Sequence, residues 1–129
     1  MIALDTNILV RWLLRDDAEQ AAKAQTILAG ACWLGDTVLL ELAWVLKSYA
    51  GLERAGIADS LETILLLPEL QCPDREATLW AIEAYRRGAD IADSLHIVSS
   101  RPAENFATFD RDLVRKMKDN PFVEIRLLD

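Results

Sequence analysis

The chain has little of what staples or metallates a small protein. Its 129 residues include two cysteines and one histidine. Cys32 and Cys72 form no CxxC pair, and a single His cannot complete a zinc site with them, so both read as free thiols of a reducing cytoplasm. Long apolar runs are also missing. None approaches the roughly 18 residues of a membrane span, and no basic-then-apolar leader opens the chain, so the expectation is a soluble, cytoplasmic protein with no membrane partner. Positive charge is scarce too: 14 basic against 21 acidic residues leave a net charge of -7. That argues against holding nucleic acid by bulk electrostatics. It does not exclude a nuclease, because carboxylates that converge on divalent cations borrow the cations' charge.

No repeats, linkers or low-complexity stretches interrupt the sequence, and the expectation is one domain, residues 1–129, able to bury about two-thirds of its unfolded surface. It is organised around its opening, Ile2-Ala3-Leu4-Asp5-Thr6-Asn7. Three apolar residues followed by a carboxylate predict a buried parallel strand with Asp5 at its carboxyl edge, where ligands bind in open α/β sheets. Asn7 would cap the first helix. Phe106-Ala107-Thr108-Phe109-Asp110 repeats the pattern of an apolar strand ending in Asp. Further strands are expected near Ala31–Leu34, Leu70–Cys72 and Phe122–Leu127, with about seven helices between. Such alternation predicts an α/β fold with a largely parallel sheet of four or five strands covered on both faces.

Four acids stand out. Asp5 and Asp110 end strands. Glu41 interrupts the helix Val38–Tyr49, whose residues are otherwise apolar nearly all round; its neighbours at three and four residues are Thr37, Val38, Trp44 and Val45, so no local cation answers it. Burial there would cost several kcal/mol without a metal, a distant Arg or protonation, while exposure at a rim is the ordinary alternative. Asp93 follows Asp90 by three residues at the start of a sixth helix. Asp90 has an ordinary role as N-cap; Asp93 would repel it on the same face unless something positive lies between them. Gathered in one cleft, these oxygen ligands suit a hard cation, Mg²⁺ or Mn²⁺, singly or as a pair roughly 3.5 to 4 Å apart, and point to metal-dependent phosphoryl-ester hydrolysis.

Ordinary readings stand beside the other candidates. His96, a turn beyond Asp93, is a candidate substrate contact, but a lone helical His is more often a hydrogen-bonded structural residue. Arg111, Arg115, Lys116 and Lys118, with Arg86 and Arg87, could steer phosphate or simply solvate a helix face. Trp12, Trp33, Trp44 and Trp80 sit at apolar positions that favour core packing over base stacking.

Leu4-Asp5-Thr6-Asn7, Leu40-Glu41-Leu42-Ala43-Trp44-Val45-Leu46, Ala89-Asp90-Ile91-Ala92-Asp93-Ser94-Leu95 and Thr108-Phe109-Asp110-Arg111-Asp112 together resemble the four motifs of PIN-domain ribonucleases. Their order and spacing are similar to those of the toxin half of VapC-type toxin-antitoxin pairs. The resemblance covers essentially the whole chain. It implies a PIN-like three-layer α/β/α sandwich and a metal-dependent endoribonuclease, with Asp5, Glu41, Asp93 and Asp110 as metal-binding catalytic acids and Asp112 as a candidate fifth ligand. Thr6, Asn7 and Thr108 would order those acids, and Arg111 and Arg115 are candidate RNA contacts. An RNA substrate, a homodimer and a cognate antitoxin protein are implied as partners, and exposed apolar residues of the fourth and fifth helices would supply the dimer interface. The main alternative is a PIN fold kept as a protein-binding scaffold with little or no catalysis. A phospho-receiver module is rejected, since Asp5 has no adjacent acid and no late strand ends in Lys.

Overall fold

A computed structural model describes all 129 residues. Seven helices and five short strands alternate along the chain, an α/β architecture whose strand pairings are all parallel. Two compact units divide it, Met1–Arg75 and Glu76–Asp129.

In the first unit, β1 (Ile2–Ala3), β2 (Cys32–Trp33) and β3 (Leu70–Gln71) form a ladder in the order β1-β2-β3. Helices α1 (Thr6–Leu14), α2 (Ala18–Leu28), α3 (Asp36–Ser48) and α4 (Arg54–Leu65) connect and follow the strands, with α1 packed on α2 and α3, and α3 on α4. Leu9, Leu39, Leu42, Leu46, Ile57, Leu61, Ile64 and Leu65 are fully buried. In the second unit, α5 (Arg75–Arg86, whose first residue closes the first unit), α6 (Ile91–Ser99) and α7 (Arg111–Met117) accompany β4 (Asn105–Thr108) and β5 (Glu124–Leu127), which pair with each other. Ala84, Ala89, Ile97, Leu113, Met117 and Val123 form its core. Trp80 and Phe122 pack edge to face against that core, their ring centroids 5.2 Å apart.

The structure corrects four expectations. The opening strand is not buried: β1 is the outer member of its ladder, and Ile2 is 52% exposed, while Leu4, just beyond it, is buried. The first helix begins at Thr6 with Asp5 as N-cap, displacing Asn7; Asp5 has the extended backbone a cap needs, and its carboxylate accepts from the Thr6 amide at 2.9 Å. Helix α3 starts at Asp36 with Gly35 as cap. Nor is α3 buried all round. Its inner face carries Leu39, Leu42, Ala43 and Leu46, whereas Trp44 is 67% exposed, so this tryptophan is not core. Tyr49, at the end of α3, and Leu66, after α4, are the other large exposed apolar side chains near these helices, and none lies on α5.

These exposures separate two classes of substitution. Leu61→Ala removes a fully buried side chain and is expected to cost about 2–5 kcal/mol in urea unfolding, whereas Trp44→Ala should stay within about 0.5 kcal/mol of the parent.

Candidate functional site

Asp5, Thr6 and Glu41 meet in the first unit. The chain leaves β1 and turns into α1 at Asp5, leaving that carboxylate exposed at the strand's carboxyl end. Thr6 is only 3% exposed, yet its hydroxyl donates to Glu41 Oε1 on α3. Glu41 itself is exposed, which corrects the reading of it as a buried carboxylate in need of a partner. The exposed rim is its setting, and Thr6 orients it there. Asn7, also exposed, is one residue further into α1.

Asp90, Asp93, Asp110 and Asp112 belong to the second unit. Asp90 caps α6, accepting from the Asp93 amide at 3.1 Å and holding Asp93 in the first turn. Asp110 caps α7, accepting from the amides of Asp112 at 2.9 Å and Leu113 at 3.1 Å. Thr108, at the end of β4, accepts from the Asp110 amide at 3.0 Å and so fixes the turn that presents this acid. The Asp93 carboxyl titrates above the ordinary range. Partial burial is the largest cause, followed by the negative charges of Asp90 and Asp110, with His96 and Lys116 opposing. An acid in a helix's first turn normally gains from the dipole. Here burial and like charge outweigh that gain.

Cations surround Asp112 instead. Arg115 pairs with its Oδ1, Lys116 lies 3.1 Å from its Oδ2, and both hold its carboxyl below the ordinary range. Arg115 is thus engaged by an acid of its own helix, as Arg86 is by Glu83 at 3.1 Å. Arg111 is exposed at the start of α7. His96 is exposed rather than structural in the expected sense; its carbonyl accepts from the Ser99 and Ser100 hydroxyls, and its ring lies close enough to Asp93 to favour that charge. Sequence reasoning grouped Lys116 with the surface cations. The structure turns it into a small cleft with Asp90, Asp93 and Asp112. Its spacing of four from Asp112 was the available signal.

Within neither unit do three or more His, Cys, Asp or Glu side chains gather closely enough to hold a metal ion. The first unit contributes two acids, Asp5 and Glu41, and the second contributes Asp93 and Asp110; the carboxylates of Asp5, Glu41 and Asp110 accept hydrogen bonds, and Asp93 is held by its backbone amide.

Two measurements test these placements. Thr6→Val, which keeps the buried shape but loses the donor, should destabilise by about 1 kcal/mol in urea unfolding, with Thr6→Ser closer to the parent. The raised Asp93 pKa means that the fold is favoured while this carboxyl is protonated and loses that contribution as pH rises through the folded-state value. Asp93→Asn should therefore melt increasingly above the parent as pH rises from the ordinary aspartate value of 3.8 through the raised folded-state value, and the two should converge in acid.

Comparison with curated proteins and with solved structures finds no match. Residues 2–119 match the PIN domain family, so nearly the whole chain, including all four acids, lies within the matched region. The chain belongs to the PIN domain family, a family of nucleases.

Proposed function

We propose that this protein is a Mg²⁺- or Mn²⁺-dependent endoribonuclease acting as the toxin of a toxin-antitoxin pair, with Asp5, Glu41, Asp93 and Asp110 as its catalytic acids. The observation that carries the proposal is the partial burial of Asp93 beside Asp90 and Asp110, which lifts its carboxyl above the ordinary range. A carboxylate half-buried beside Asp90 and Asp110 is unfavourable in the resting fold, and a cation would relieve it. The donors fit the ion: all are carboxylate oxygens, with no Cys or His set to select a softer metal. A bound divalent ion would polarise the phosphodiester and lower the pKa of an attacking water.

The chain's own residues do the positioning. Thr6 orders Glu41, Asp90 and the α6 backbone order Asp93, and Thr108 orders Asp110. Asp112 would be the fifth ligand only by exchanging Arg115 and Lys116 for the cation. Exposed Arg111 and His96 are the side chains beside these acids that remain free to meet RNA phosphate, and Arg115 could join them by releasing Asp112. A cognate antitoxin protein and a homodimer complete the proposal, on the resemblance of the four motifs. No helix is long and apolar enough to cross a membrane.

The test is incubation of purified protein, freed of bound partners, with total cellular RNA and Mn²⁺ or Mg²⁺, followed by sequencing of new ends. Discrete ends are expected that vanish in EDTA and fall with Asp93→Asn by at least the roughly 10- to 100-fold that loss of support to a metal ligand costs. Parent-rate cleavage by Asp93→Asn would move the site elsewhere. No new ends from folded, metal-bound protein would favour the binding-scaffold reading.

A further inference from the structure

Of the four tryptophans only Trp44 is exposed, at 67%, and of the three phenylalanines only Phe109, at 73%. An apolar side chain exposed singly needs no explanation. What these two share is their position. Trp44 is one turn beyond Glu41 on α3, in the outward stripe Thr37, Glu41, Trp44 and Ser48, while Leu39, Leu42, Ala43 and Leu46 are buried. Phe109 immediately precedes Asp110. Each unit therefore sets one bare aromatic ring beside one of its acids, and each adds a cation: Lys47 is exposed a turn beyond Trp44, and Arg111 is exposed next to Asp110. Neither ring hangs on a loose backbone. The Trp44 carbonyl accepts from the Ser48 hydroxyl at 2.8 Å within α3. Before Phe109, the Thr108 hydroxyl accepts from the Asp110 amide at 3.0 Å and the Thr108 carbonyl from the Leu128 amide at 2.8 Å.

We infer that Trp44 and Phe109 are base-stacking platforms, each holding an unpaired base of single-stranded RNA beside an acid of its own unit, with Lys47 and Arg111 meeting the neighbouring phosphates. The inference rests on the RNA substrate proposed above and deepens it. A net charge of -7 leaves little general attraction for phosphate, and stacking supplies affinity without it. In a duplex the base faces are already covered by their neighbours, whereas unstacked bases offer theirs to aromatic side chains. Since every base has such a face, these rings select strandedness rather than sequence.

The test uses a fluorescein-labelled single-stranded RNA of about 12 nucleotides, and the same backbone without bases, as anisotropy probes. Binding is read in EDTA and, on an Asp93→Asn background, in Mn²⁺; cleavage is read with Asp93 present. Trp44→Ala and Phe109→Ala are each expected to weaken RNA binding roughly 5- to 100-fold and to raise KM more than they lower kcat, while Trp44→Phe stays within about threefold of the parent. The parent and both Ala variants should hold the baseless strand alike. Trp44→Leu replaces the Ala variant should that variant not fold. Parent-like RNA binding by either Ala variant overturns the assignment for that residue, and leaves the nuclease reading standing if cleavage persists. Base-dependent binding without cleavage in Mn²⁺ upholds the platforms and removes the nuclease reading instead. No RNA binding in either condition overturns the platforms. Should Trp44→Ala sediment as a monomer where the parent is a dimer, with RNA binding per chain unchanged, Trp44 belongs to an interface between copies and its stacking role falls.

Discussion

Partial burial of an acid among like charges at helix starts is the constraint that shapes the second unit's candidate site. Asp90 and Asp110 are spent as N-caps, an ordinary use of aspartate that fixes where α6 and α7 begin. Asp93 is then carried by the first turn of α6 into the field of both. The fold accepts that repulsion rather than relaxing it, because moving Asp93 would mean moving a helix whose other face holds buried Ser94, Leu95, Ile97 and Val98. Local strain persists where packing over-determines it, and charged strain of this kind clusters at functional sites.

The first unit treats its acids differently. Asp5 and Glu41 are exposed, and their positions come from hydrogen bonds: one from the Thr6 backbone and one from the Thr6 side chain. A single buried threonine therefore sets both the start of α1 and the orientation of a carboxylate on α3. Neither arrangement costs the protein a buried charge. The two units share one device, a short polar side chain or backbone amide bonded to the carboxylates of Asp5, Glu41, Asp90 and Asp110, whereas Asp93 is placed only through its own backbone amide.

Elements whose boundaries are set locally were legible in the sequence. Helix α6 begins after Asp90, as its capping indicated, and β4, Asn105–Thr108, overlaps the apolar run that ends in Asp110. Resemblance named the family, and the match over residues 2–119 agrees with it. Burial was less legible. The apolar run of α3 suggested a fully enclosed helix, yet α1 and α4 pack on α3 while only its Leu39, Leu42, Ala43 and Leu46 are buried and Trp44 is exposed. Composition records that a residue is apolar; which side receives a neighbouring helix depends on packing that no local pattern encodes.

By itself the sequence determined the strand-end acids, the start of α6 and the α/β alternation, because each is expressed in residues within a few positions of one another, and the excess of negative charge, because composition alone sets it. Only the tertiary structure decided that Glu41 is an exposed acceptor for Thr6, 35 residues away, and that Lys116 reaches Gly88 across 28 residues. Hydrogen bonds of that span exist only once the chain has folded back on itself. Their geometry follows from helix packing and from the positive φ of a glycine turn, neither of which local patterning expresses.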